Sequence, residues 1–344
     1  MLFRLQKGIL EHETLFTIGV FGLAQMAADL MVDFNVPYLP AAIRFVGVLV
    51  VVLVLWTRVK NRQTEVSVPL VFAEDESREL VQEKFDRFVE ATRLHKAVKE
   101  LDVLAKLNRN ELHIRLAPNV RETTDRSSWQ ENFRQLLREW EKEVDERVRR
   151  WLPGRYRGVV YHVRPNVVLP MAFALGYSVG LRRAVILYHA SGSQTYRVMD
   201  LTYPRTLFER PQPPIPLKQE PENLFPPEQR GDRLILHIVV SERHRPTLEA
   251  HPDHAQATSV AIYHDQTLPQ SDWLPYAQAI WQKAQPWVNA FQQVDICLAC
   301  PDALAFALGM AFARMSTFRV CHWINSQYMP VLDLKEVDSH PPFD

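Results

Sequence analysis

The sequence predicts an α/β protein of two tandem units, preceded by an all-α pair of membrane-spanning helices. Three observations carry this: an apolar N-terminus, strands that alternate with helices beyond it, and a stretch ending at Gly176 that recurs ending at Gly309. The chain has 344 residues. At about 100–200 residues per domain, that is enough for two sizeable cores.

Residues 1–62 differ from the rest. Residues 14–32, TLFTIGVFGLAQMAADLMV, and 38–57, YLPAAIRFVGVLVVVLVLWT, are each long enough to cross a hydrocarbon core of about 30 Å. Only residues 33–37 separate them, which predicts an antiparallel hairpin in the membrane. A second, longer apolar run with no A-x-A-like site before it is unlike a cleaved signal peptide. Residues 48–56, VLVVVLVLW, are apolar on every side of a helix, unlike a hairpin that faces water. Arg4 and Lys7 precede the spans, Arg58, Lys60 and Arg62 follow them, and the connecting loop carries Asp33 and no base. The positive-inside rule then places both termini in the cytoplasm. Asp29 and Arg44 stand at similar depth on either side of the loop. A charge in mid-membrane is costly, so they either pair, within a hairpin or between protomers, or snorkel to the headgroups.

The first α/β unit is expected over residues 64–201. Residues 66–72 read as a strand, and a helix follows from Ser77 with Leu80, Val81, Phe85, Phe88 and Val89 on one face. After a short strand at 112–116, Ser128 and Glu131 have the spacing of a capping box. The helix they open buries Trp129, Phe133, Leu136, Leu137, Trp140, Val144, Val148 and Trp151. Then come strand 157–163, helix 169–181 and strands 184–189 and 196–201. Residues 204–227 hold 8 of the 24 prolines, which excludes a helix or a central strand and marks a linker over 202–231. The second unit, 232–336, restarts the pattern with strands at 233–240 and 258–264, a helix at 273–291, a strand at 294–300, a helix from Asp302, and strands at 318–324 and 328–334. Such alternation implies parallel βαβ units.

The units repeat one another. Met171–Gly176 (MAFALG) recurs as Leu304–Gly309 (LAFALG), His189 as His322, Ser193, Gln194 and Tyr196 as Ser326, Gln327 and Tyr328, and Asp200-Leu201 as Asp333-Leu334, with offsets of 132 or 133. This is a tandem duplication of one Rossmann-like unit. Gly176 and Gly309 fall inside helices, where glycine costs about 1 kcal/mol relative to alanine. Close packing of helix against sheet is the expected reason.

Composition narrows the chemistry. Lys+Arg and Asp+Glu each number 40, leaving no surplus of base to displace counterions from a polymeric nucleic acid. A small anion in one pocket remains compatible. Glycine is scarce, at 11 residues, and neither G-x-x-x-x-G-K-[ST] nor G-x-G-x-x-G occurs, which argues against an ATPase or a dinucleotide-dependent dehydrogenase. Neither G-x-S-x-G nor H-E-x-x-H occurs. The cysteines, Cys297, Cys300 and Cys321, are too few and too clustered for a secreted disulfide framework. Cys297 and Cys300 lie three apart on a strand and so face opposite ways. His244, His251 and His254 are interrupted by Pro246 and Pro252. No catalytic residue, metal or cofactor is therefore expected.

In open α/β sheets, ligands bind beyond the carboxyl ends of the strands, near helix N-termini. That rule selects Ser241, Arg243, His244, Pro301, Asp302, Trp323, Asn325, Gln327 and Tyr328 in the second unit, and Arg164, Asn166, Ser193, Gln194 and Tyr196 in the first. Arginine suits phosphate and the aromatic rings suit base stacking, while Asn and Gln suit base edges. Asp302 would repel phosphate and fits a ribose hydroxyl or an exocyclic amine. Each polar residue could equally cap a helix or a turn.

Pro301-Asp-Ala-Leu-Ala-Phe-Ala-Leu-Gly309, the strand after it, Gln327-Tyr328 and the closing strand to Leu334 resemble the C-terminal signature of SAVED domains, fused pairs of CARF-like units in bacterial antiphage systems. The resemblance covers 233–336, and the repeat extends it to residue 64. Behind a two-span hairpin it is similar to membrane effectors of CBASS or of type III CRISPR relatives. It implies a sensor of cyclic oligonucleotides, often cyclic trinucleotides, that forms homo-oligomers on binding and perturbs the lipids of the bacterial inner membrane. A tethered scaffold that recruits a separate effector, or a membrane-bound ring nuclease, are the alternatives.

Overall fold

The computed structural model describes residues 65–336, apart from 75–76, 117–119, 152–157, 193, 243, 314 and 316. The expected hairpin of residues 1–62, with Asp29 and Arg44, lies outside them. Among the described residues, no helix is long and apolar enough to cross a membrane.

The first half opens with β1 (Glu65–Ala73), α1 (Arg78–Thr92), α2 (His95–Ala105) and β2 (His113–Arg115). Ser77 caps α1, its side chain accepting the Leu80 N–H at 3.3 Å. Helix α3 (Arg126–Arg138) runs through a π-helical turn (Glu139–Asp145) into α4 (Glu146–Trp151). Its cap is Asp125, three residues before the expected Ser128: the carboxylate accepts the N–H groups of Ser127 and Ser128 at 3.3 and 3.0 Å. A carboxylate complements the positive end of the helix better than a hydroxyl can. The expected apolar face is buried from Trp129 to Val148. Then follow β3 (Gly158–Asn166), α5 (Leu169–Val179), β4 (Ala184–Ser191) and β5 (Gln194–Leu201). The second half comprises β6 (Lys218–Glu220), β7 (Gly231–Val240), β8 (Thr258–His264), α6 (Leu274–Asn289), β9 (Phe291–Ala299), α7 (Asp302–Phe312), β10 (Thr317–Ile324) and β11 (Gln327–Asp333).

Two mixed sheets result. The first has the order β2-β1-β3-β4-β5 and the second β11-β10-β9-β7-β8-β6. Without β6, the orders match strand for strand under the sequence repeat. Pairs β1·β2, β3·β4, β7·β8, β7·β9 and β9·β10 are parallel, while β4·β5 and β10·β11 are antiparallel. The expected parallel βαβ units are therefore joined by an antiparallel final strand at one edge of each sheet. The two-residue connections into those strands, 192–193 and 325–326, are too short for a parallel crossover. Strand β6 arises inside the proline-rich stretch and pairs antiparallel with β8 at the sheet's outer edge, where proline is tolerated.

Helices α5 and α7 form the layer between the sheets. Every residue from Pro170 to Val179 and from Ala303 to Phe312 is buried, and the helices pack on each other. Helix α5 also meets β9 and β10 of the second sheet, and α7 meets β3 and β4 of the first. The expected reason for the helical glycines is corrected accordingly: a Cβ on Gly176 would run into the Phe306 carbonyl, and one on Gly309 into the Phe173 carbonyl. The close partner is the other helix rather than a sheet.

Candidate ligand-binding cleft

Order reverses between β1 and β3 in the first sheet and between β7 and β9 in the second, and ligand crevices open at such switch points. Strand β7 ends at Val240 and β9 at Ala299, so Ser241 and Cys300 are the first residues beyond the carboxyl edge. Pro301 then precedes α7, whose first turn has no side-chain cap from the N-cap position. Asp302 fills that role in part, its Oδ1 accepting the Ala303 N–H at 2.7 Å.

Three neighbouring cavities surround this turn. One of 440 Å³ is lined by Ser241, His244, Arg245, Pro301, Trp323 and Tyr328, with Leu169 from the first half. A second, of 370 Å³, shares Ser241 and Pro301 and adds His189, Tyr196, Gln266 and Trp273. A third, of 600 Å³, shares Leu169, Cys300 and Trp323 with the first and His189 with the second, and adds Glu74, Arg121, Asn166, Asp302 and His322. The cleft therefore draws on both halves, and the two repeat-related histidines both line it. His189 and Asp302 bridge the halves, Nδ1 to Oδ1 at 3.3 Å.

Trp323 is the exposed ring, at 46%. The Tyr328 ring packs edge-on against it, with centroids 4.8 Å apart, and is buried. Burial, together with the neighbouring cysteines, pushes the Tyr328 hydroxyl up, so it stays protonated. Burial likewise pushes the Cys300 thiol up, with Asp302 adding to the effect. His322 donates from Nε2 to the Arg121 carbonyl at 3.1 Å. Burial holds its imidazole down, the Arg121 carbonyl opposing and the Arg121 charge adding to that, and it is neutral near pH 7. Arg245 reaches Asp265 at 3.3 Å from an exposed position, and Arg121 pairs with Glu74. Ser241 Oγ lies 2.9 Å from His244 Nδ1 and also accepts the His244 N–H, a local turn three residues long.

The predicted residues divide clearly. Asn166, Tyr196, Ser241, His244, Pro301, Asp302, Trp323 and Tyr328 line the cleft. Gln194 stands at its margin, accepting the Tyr196 hydroxyl. Arg164, half-buried on β3, lines none of the three cavities. Asn325 and Gln327 are exposed at the β10–β11 turn, where Asn325 and Ser326 adopt φ of 49° and 64°, a turn role that suits Asn. Ser193 and Arg243 lie outside the described residues. Sequence reasoning missed Arg121, Arg245 and Trp273. Arg245 was signalled by its neighbours His244 and Arg243, whereas Arg121 lies in a one-turn 3-10 helix (Val120–Glu122) and carries no local signal.

No protein-family model matches the sequence, and no curated protein matches it. Among solved structures, the Acinetobacter baumannii Cap4 SAVED/CARF-domain containing receptor with the cyclic trinucleotide 2'3'3'-cAAA is similar at 12% identity and a TM-score of 0.48, over 77% of this chain and 51% of that one. The same receptor with 3'3'3'-cAAA gives the same values. The Moraxella osloensis Cap4 receptor is similar at 13% identity and a TM-score of 0.46, over 73% of this chain and 54% of its own. The chain spans about half the length of these receptors.

Chemically, the cleft offers a stacking face, guanidinium groups at its rim, hydroxyl and imidazole donors, and one carboxylate at the α7 N-terminus. The two helix ends are unequal. Asp302 makes the α7 end poor for an anion, while α5 begins with Leu169-Pro170 and no side-chain cap.

Proposed function

We propose that the chain is a membrane-anchored receptor for a cyclic oligonucleotide, with a cyclic trinucleotide as the expected ring. Two CARF-like units, 64–201 and 232–336, joined by the linker 202–231, form a SAVED domain behind the hairpin of residues 1–62. The ring occupies the cleft, homo-oligomers form, and the clustered hairpins perturb the bacterial inner membrane in antiphage defence. The observation that carries this reading is a cleft at the switch point lined by equivalent elements of both repeats. Trp323 stacks on a base, Arg245 and Arg121 neutralise phosphate, and Asp302 accepts a ribose hydroxyl or an exocyclic amine. The role is that of a receptor rather than an enzyme: the Ser241–His244 contact runs through Nδ1 inside one turn, a capping geometry rather than that of an activated nucleophile.

The test uses the full-length chain and a panel of cyclic di-, tri- and tetranucleotides. One ring should raise the thermal midpoint by several degrees at saturation and trigger dye release from liposomes carrying the protein. A panel without any stabilising ring refutes the receptor reading. Stabilisation without dye release refutes the membrane step alone.

A further inference from the structure

The face of the second sheet turned away from α7 carries a second cluster, of which only Cys321 also lines the cleft. Cys297 on β9 and Cys321 on β10 are register partners, and His237 on β7 is the register partner of Cys297 from the other side. Parallel partners stand about 4.8 Å apart with side chains on the same face, so the three form one row. The segment after β7 returns over this row and brings in His251. Its donor nitrogen and the two sulfur atoms lie within 4.8 Å of one another, and all three residues are buried. Cys297 and Cys300, three apart along the chain, are not expected to act together. The close partner is Cys321, and its place on another strand made it illegible from spacing.

One orphaned side chain points to a missing occupant. His237 is fully buried, and neither of its ring nitrogens has a hydrogen-bond partner among the described residues. His251 Nε2, also buried, faces the Asp295 Oδ2 at 3.3 Å and no aligned hydrogen-bond acceptor. A fully buried imidazole with both nitrogens unpaired is rare in a folded protein and needs an explanation.

We propose that His251, Cys297 and Cys321 hold a zinc ion that pins the segment around His251 to the sheet, with His237, the register neighbour of Cys297, turning in as the fourth ligand. Two thiolates and two imidazoles are a donor set of closed structural zinc sites. Asp295 is excluded as a ligand because its oxygens are already taken by Arg233 at 3.0 Å and Arg319 at 2.7 Å. Arg233 also pairs with Asp253, so the two guanidinium groups are matched by two carboxylates. Zinc with two thiolates adds no net charge to that balance, the two thiol protons leaving to solvent as the metal binds. His251 Nδ1 now accepts the Asp253 N–H at 3.1 Å. Coordination through Nε2 places the ring proton on Nδ1, so this bond breaks and residues 252–253 shift when zinc enters. The segment pinned in this way leads directly from Arg245 and Thr247, which line the cleft.

The test is the metal content of the full-length chain, purified from zinc-replete culture without chelators or metal-affinity resin. The site predicts about one zinc per chain. Loading with Co2+ should give a thiolate-to-cobalt charge-transfer band and the strong visible bands of a tetrahedral site. Cys297→Ser with Cys321→Ser should abolish both signals, while Cys300→Ala should keep them. If the double variant fails to fold, a thiol-directed mercurial decides on the wild-type chain, by releasing zinc in step with thiol modification. Less than about half an equivalent of zinc per chain, or zinc that survives blocking of the thiols, overturns the proposal.

Discussion

Gly176 and Gly309 occupy the same place on two crossed helices, each facing a backbone carbonyl of the other helix, Phe306 for the first and Phe173 for the second. The offset of 133 that relates the glycines also relates the two phenylalanines, so the contact is self-complementary about a pseudo-twofold axis. The duplication therefore builds the layer that holds the two sheets together.

Gly176→Ala and Gly309→Ala should each destabilise the protein, and by similar amounts. Alanine gains about 1 kcal/mol in helix propensity, but overpacking against backbone that cannot yield costs more, for a net loss of roughly 1–3 kcal/mol. Gly158→Ala is the control, since a Cβ there meets nothing within 4 Å. Thermal denaturation of the three variants checks this. Equal midpoints would remove the close crossing from the account.

The repeat was legible because apolar helix residues and turn residues kept their spacing, and the strand boundaries followed from β-branched runs. Less legible was whatever depends on contacts distant in sequence. Gly176 signalled close approach but not to what, and the partner of Cys297 lay on another strand. In the cleft, Ser241, Pro301 and Asp302 were found because strand ends and helix starts are local features. Arg121 and Trp273 were not, because only the docking of the two halves brings them there. Asn325 shows the converse: its residue type satisfied the rule for base edges, and the structure employs it in a turn.

His162 gives the fold a pH dependence. Burial and then the charge of Arg197 hold its imidazole down at about 4, and Nδ1 lies 2.9 Å from the Tyr188 hydroxyl. In the unfolded chain it titrates near 6.5. Its folded pKa is depressed, so the contribution is fully present above about pH 6.5 and fades as pH falls toward about 4, where the unfolded state binds roughly one more proton. Unfolding midpoints measured across that window should fall with pH, and His162→Gln should flatten the slope by that one proton.

Asp295 is fully buried between Arg233 and Arg319; burial pushes its carboxyl up, but His251, Arg319 and Arg233 together hold it below the usual range. Asp295→Asn should cost about 3–5 kcal/mol, because it leaves two guanidinium groups facing a neutral amide. Urea denaturation reads this directly, and a loss under about 1 kcal/mol would mean that solvent replaces the carboxylate.

The receptor reading rests most directly on equilibrium binding of cyclic oligonucleotides to the full-length chain, compared with Trp323→Ala and Gln327→Ala. One ring should bind saturably to the wild type. Trp323→Ala should weaken it roughly tenfold or more through loss of a base stack, and Gln327→Ala, outside the cleft, should leave it within about twofold. Binding that is absent for every ring, or unchanged by Trp323→Ala, would contradict the account.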